Sequence, residues 1–180
     1  ATKLFHTIEG GALIINDDSL VEKVRYLINF GIKSPTEIPH LGTNAKMNEF
    51  EAAMGLCILD DIEKIKTNRK KVVENYRENL NNIVQFQEQN INASENYSYF
   101  PILFKNEEEL LKVQKALNEK QIFPRRYFYP SLDTLDYIKP KQICEISQDI
   151  SKRVLCLPLY MELEKEDQDK IMEILRKNYD

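Results

Sequence analysis

Lys3 stands a few residues ahead of a glycine pair, Gly10 and Gly11, in the opening segment ATKLFHTIEGGALIIN. A lysine amine can bond reversibly to an aldehyde when a fixed turn holds it and backbone can approach closely nearby, which glycine permits. Taken alone, Lys3 has the ordinary reading of a solvated lysine. A second group is Asn44 and Lys46 in GTNAKMNEFEAAMGLCILDDIEKI. Asn44 is most simply a turn or N-cap residue at the mouth of a helix that opens near Met47. Free backbone N–H groups at such a helix start suit an anion, and Lys46 adds a point charge where an arginine would offer a two-pronged fork. The third group lies in QIFPRRYFYPSL, where Arg125 and Arg126 adjoin Tyr127 and Tyr129. Buried or edge-strand aromatics are the plain explanation of these rings.

Composition narrows the field. A chain of 180 residues can bury a core and fits one domain by length alone. Its net charge of −4, with 25 basic and 29 acidic residues interspersed, offers no cationic stripe, so nucleic acid is not an expected partner. Two histidines, His6 and His40, form no cluster, and the three cysteines are too scattered for a zinc knuckle or a redox pair. A metal is not expected. The odd cysteine count argues against a disulfide framework, which fits a reducing cytoplasm. No apolar run reaches the ~20 residues of a membrane span, and no signal peptide opens the chain.

The elements that must position these groups follow from periodicity. Ala12–Ile15 reads as a short buried strand, and Leu20, Val21, Val24, Leu27 and Ile28 recur at helical spacing up to Gly31. Residues 32–46, with Pro35, Pro39 and Gly42, have neither period and read as a long functional loop. From Met47 an apolar face runs through Phe50, Met54, Ile58 and Ile65 and less strictly to Tyr76 and Leu80, a helix long enough to bridge two packing units. Within it, Ala52, Ala53 and Gly55 are small residues that suit close packing. The polar stretch 85–96 breaks the pattern. Beyond it come a strand at Tyr97–Phe104, a helix at Glu107–Lys120, strands at Ile122–Tyr129 and Val154–Leu157, and a closing helix at Glu166–Tyr179. Such alternation predicts a small α+β layer.

Three phrases together resemble a known family. ATKLFHTIEGG is similar to the cofactor-lysine segment of the DegT/DnrJ/EryC1/StrS sugar aminotransferases, cut at its first residues. GTNAKMNEFEAAMG resembles that family's asparagine-and-helix segment, and QIFPRRYFYPSL its tyrosine-proline segment near the substrate entrance. NRKKVVENYRENL and ISQDISKRVLCLPLYMELEKEDQDKIMEIL extend the resemblance to the last helix, in the family's order.

The resemblance implies an α/β protein, the C-terminal half of a fold-type I pyridoxal-phosphate-dependent transferase. Residues 1–46 would be the end of the large cofactor domain, 47–84 a linking helix region and 85–180 the small α+β domain. It implies Lys3 as the covalent anchor of pyridoxal 5'-phosphate and Asn44 as a cofactor-phosphate ligand reaching across a homodimer. Lys46, Arg126, Tyr127 and Tyr129 would face substrate, with Arg125 or Arg126 meeting a diphosphate. The implied reaction moves an amino group from an amino acid, expected to be glutamate, to a nucleotide-linked keto-deoxyhexose, in the setting of polysaccharide biosynthesis. An inert fragment or dimerisation module is the alternative. A related dehydratase is disfavoured, because those members carry histidine where this chain has Lys3. Ile8 in place of the glycine before EGG, Lys46 in place of arginine and the absence of everything upstream of Ala1 depart from the family pattern.

Overall fold

The computed structural model describes residues 3–140 and 142–179, so Ala1 and Thr2 of the lysine phrase lie outside the described residues. Two compact units divide between Ile62 and Glu63, inside the longest helix.

The N-terminal unit holds a 3-10 turn at Asp18–Leu20, helix α1 at Val21–Leu27 and the first part of helix α2, Glu49–Leu80. Asp17 opens the turn by accepting from the backbone N–H of Ser19 at 3.0 Å, the side-chain satisfaction that a helical start needs. The expected helix ends as its sequence predicts, with the Gly31 N–H bonded to the Tyr26 carbonyl at 2.7 Å. The expected strand at Ala12–Ile15 does not form: these residues carry no regular structure, and Ile14 is 91% exposed. A strand persists only where a neighbouring strand completes its ladder, and among the described residues of this unit none does.

Helix α2 begins at Glu49 because Asn48 caps it. The Asn48 Oδ1 accepts from the Glu51 N–H at 3.0 Å, and Glu51 Oε2 accepts from the Asn48 N–H at 3.2 Å. This reciprocal arrangement satisfies two otherwise orphaned donors. Asn44 is therefore not the cap that its position suggested.

In the C-terminal unit the end of α2 joins strands β1 (Gln85–Phe86), β2 (Phe100–Leu103) and β3 (Val154–Leu157) with helices α3 (Glu107–Asn118), α4 (Glu145–Arg153) and α5 (Lys165–Asn178). The sheet order is β1-β2-β3, antiparallel throughout, with Pro101 opposite Cys156 and Leu103 opposite Val154. Strand alternation sends Phe100, Ile102, Leu155 and Leu157 into one core with Val72, Tyr76 and Leu80 of α2, Leu110, Val113 and Leu117 of α3, and Ile171, Met172 and Leu175 of α5. The i, i+3, i+4 spacing of each helical set is what lets one stripe face the sheet. Helix α3 starts at Asn106, whose Oδ1 accepts from the Glu109 N–H at 2.9 Å.

Two expectations are corrected here. The strand expected at Ile122–Tyr129 is reduced to a single bridge between Arg125 and Cys156, since Pro124 and Pro130 flank it and neither can donate to a ladder. The polar stretch after residue 84 opens with β1, an edge strand of two residues that is too short to show a period.

Candidate functional site

The candidate residues fall into a set in each unit. In the N-terminal unit Lys3 is exposed, and its amine has no hydrogen-bond or ion-pair partner among the described residues. Following it, Thr7 is buried at 6% exposure, and its Oγ1 has no hydrogen-bond partner among the described residues. Thr7 packs where Gly55 of α2 leaves room: a Cβ on Gly55 would stand 2.8 Å from Thr7 Cγ2. The small residue on the helix thus serves close packing, as its type suggests.

Asn44 and Lys46 gather on one neighbour. Asn44 forms a backbone bridge with Asn29, and Lys46 Nζ donates to Asn29 Oδ1 at 3.1 Å while lying 4.5 Å from the centre of the Phe30 ring. The loop that carries them is held by backbone bonds from Thr43 N–H to Leu27 carbonyl at 2.8 Å and from Ala45 N–H to Ile28 carbonyl at 3.0 Å. Gly42 permits this approach, because a Cβ there would lie 2.1 Å from the Gly31 nitrogen. The Asn44 carboxamide makes no hydrogen bond among the described residues and stays exposed.

These features fit an aldehyde cofactor with a phosphate tail. An unengaged primary amine is the group that bonds the aldehyde, and an unengaged carboxamide beside a lysine supplies donors for an anion.

In the C-terminal unit the segment 125–133 lies against the sheet. Arg125 and Cys156 exchange both backbone bonds, at 3.3 and 2.8 Å. The two arginines then part in role. Arg126 is drawn in, pairing with Glu107 at 2.7 Å, donating to the Lys152 carbonyl at 2.9 Å and covering the Tyr129 ring at 3.6 Å. Arg125 is exposed, donates to the Tyr127 hydroxyl and meets no carboxylate among the described residues. Below them Cys156 is buried, and burial pushes its thiol up to about 11.

On the sheet face turned away from the core, Pro101, Leu103, Val154 and Cys156 floor a cavity of about 440 Å³. Tyr99, Tyr127 and Phe128 wall it, with ring centres 5.2 Å apart for Tyr99 and Tyr127 and 4.9 Å for Tyr127 and Phe128. Sequence reasoning singled out Tyr127 but not Tyr99, Phe128 or Gln87 at the cavity rim; the signal available was the alternation of β2, which turns Pro101 and Leu103 away from the core. The carboxylate of Asp133 supports the segment from behind, accepting from the Ser131 hydroxyl, from the Cys144 N–H at 2.9 Å and from Gln148 Nε2 at 2.6 Å. These donors hold it well below the usual carboxylate range, at about 2. Among the described residues no group of three metal-ligating side chains gathers, and no helix is long and apolar enough to cross a membrane.

A family model for the DegT/DnrJ/EryC1/StrS aminotransferase family matches residues 1–176. The chain belongs to that family. Its members depend on pyridoxal phosphate. The chain is 34% identical over 184 residues to a dTDP-4-amino-4,6-dideoxy-D-glucose transaminase of Shigella dysenteriae, covering 98% of this chain and 50% of that protein. It is 26% identical to a GDP-perosamine synthase of Escherichia coli O157:H7, covering 98% of this chain and 49% of the other. The solved structure of DesI with its TDP-sugar product superposes with a TM-score of 0.85 at 28% identity, over 97% of this chain and 46% of that one. This DegT/DnrJ/EryC1/StrS chain therefore spans about half the length of the relatives it matches, corresponding to their C-terminal half, and its fold is theirs over that span.

Proposed function

We propose that the chain is the C-terminal half of an aminotransferase that moves an amino group from an amino acid, expected to be glutamate, to a nucleotide-linked keto-deoxyhexose. The observation that carries the reading is the family match along residues 1–176, which includes Lys3 in its lysine segment. Relatives named for dTDP- and GDP-linked amino sugars support the substrate class. Pyridoxal phosphate, when bound, supplies the electron sink for the carbanion formed at the donor carbon.

The chain's own residues do the rest. Lys3 Nζ would hold the cofactor and, with its amine free, would take the proton from the donor α-carbon. Asn44 donates to the cofactor phosphate of a second subunit in a homodimer, with the Lys46 charge beside it. Tyr127 and Tyr129 flank the substrate, and Arg125 meets its diphosphate while Arg126 holds the Tyr129 ring in place. A cytoplasmic setting and a product destined for polysaccharide belong to the same reading.

One observation favours the alternative of a dimerisation module. Leu13, Ile14, Leu41 and Phe50 are each at least 72% exposed, apolar side chains that burial against protein would suit. Reduction of the naturally produced protein with borohydride, followed by mass measurement of the Lys3 peptide, separates the two. A pyridoxyl adduct on Lys3, lost in Lys3→Ala, is the expected result. An unmodified Lys3 would sink the aminotransferase reading in favour of the module.

A further inference from the structure

Strands β1 and β2 are neighbours in the sheet, yet residues 87–99 join them, far more than the ~2–5 residues of an ordinary hairpin connection. Connections of that length without regular structure are uncommon unless they have a task. Two arginines of α2 hold this one at separate points. Arg77 Nη2 pairs with Glu95 Oε1 at 3.0 Å, and Arg69 Nη1 donates to the Tyr97 carbonyl at 2.8 Å. Tyr97 is kept at a φ of 52°, a left-handed conformation that costs a bulky residue free energy and persists where its surroundings impose it. The loop, with Val73 and Arg77 of α2 and with Phe86 and Phe100 of the sheet, lines a cavity of about 400 Å³, within the ~300–1,000 Å³ of small-molecule sites.

The polar part of this lining has hydrogen bonds to spare. Gln89 and Ser94 make none among the described residues, and Asn96 uses only its Oδ1, on the Ser98 N–H at 3.0 Å. Arg77 spends one donor on Glu95, and its buried Nε has no partner among the described residues. Carboxamides and hydroxyls both donate and accept, which is also what the hydroxyls of a sugar do. Charge decides against an anion. Arg77 is the one cation among the described lining residues, Glu95 already neutralises it, and Glu88 adds a negative charge. The apolar floor suits the C–H face of a pyranose, and the loop its hydroxyls.

We infer that this cavity is a second site, apart from Lys3, and that it takes a neutral pyranose, as a free hexose or as one residue of a glycan chain. None of the residues assigned above to cofactor or diphosphate lines it, so the inference stands independently of that assignment.

Saturation-transfer NMR on the intact protein with methyl glucopyranoside, methyl galactopyranoside and methyl mannopyranoside tests it. At least one glycoside is expected to receive saturation, most strongly at its ring C–H protons. Gln89→Ala and Ser94→Ala, at exposed side chains without internal bonds, are each expected to weaken that glycoside about two- to ten-fold, the worth of one hydrogen bond, at an unchanged melting temperature. An oligosaccharide of the preferred hexose that binds more tightly than the single sugar identifies a glycan as the source, and equal affinity identifies the free hexose. No transfer to any of the three glycosides overturns the inference. So does an affinity unchanged in both variants, or tighter binding of glucuronate than of methyl glucopyranoside, which would reverse the argument from charge. Displacement of the glycoside by dTDP also overturns it, because the sugar would then lie in the nucleotide-sugar site.

Discussion

Gly10 stands so close to Thr7 that a Cβ built on it would lie 1.9 Å from Thr7 Oγ1. Thr7 is buried and β-branched, so it has little room to yield. Gly10→Ala is expected to cost about 1–3 kcal/mol of overpacking and to disturb the turn that follows Lys3. Thermal unfolding measures the first effect and cofactor loading of the intact protein the second. An alanine variant with unchanged loading and melting temperature would show that the close approach is not needed.

Asn48 and Glu51 close the start of α2 on each other. Asn48→Ala is expected to destabilise the protein by about 1 kcal/mol, the usual cost of losing an N-cap side chain. Asn48→Ser should restore most of it, since a hydroxyl can also accept from the N–H three residues on. Chemical denaturation of the three proteins provides the comparison.

Arg69 ties α2 to two distant loops through the carbonyls of Tyr97 at 2.8 Å, Ser98 at 3.3 Å and Leu159 at 2.9 Å. Arg69→Met removes every one of these donors and leaves carbonyls short of partners, with an expected loss of about 3 kcal/mol. Arg69→Lys should recover part of it, because one ammonium cannot reach all three acceptors in the geometry of the guanidinium fork. Equal stability of the methionine and lysine variants would count against this role.

Asp133 gives the protein a pH signature. Its folded pKa is depressed to about 2 by the Ser131, Cys144 and Gln148 donors, below the ordinary 3.8. A depressed carboxylate stabilises the folded state fully above its unfolded pKa, and the contribution is lost as pH falls from about 4 to about 2. Stability measured through that window should therefore fall less steeply in Asp133→Asn than in the parent. Parallel curves would show that the three donors do not bind the charged form preferentially.

Much of the architecture is legible in the sequence. Helix α2 announced itself through the apolar spacing from Phe50 to Leu80, and β3 through the unbroken run Val154–Leu157. Both signals are local, arising from one face or one buried strand repeating its own pattern. Ala12–Ile15 misled because an apolar run specifies a wish to be buried and says nothing of the neighbour that must supply its hydrogen bonds. Asn44 misled because Asn48 had the capping geometry, and the decisive partner was Glu51 three residues further on.

For the candidate site the division is the same. Residue type and order by themselves determined the family, the amine at Lys3, the carboxamide at Asn44 and the pairing of arginines with tyrosines, since these are properties of side chains in sequence. Only tertiary structure decided that Arg126 pairs with Glu107 and covers Tyr129 while Arg125 meets no carboxylate among the described residues. Only it assembled Tyr99, Tyr127 and Phe128 over the outer face of the sheet. The physical reason is that the Arg126–Glu107 pair and the Tyr99–Tyr127 ring contact join segments far apart in the chain. Their energies depend on distances that no local pattern encodes.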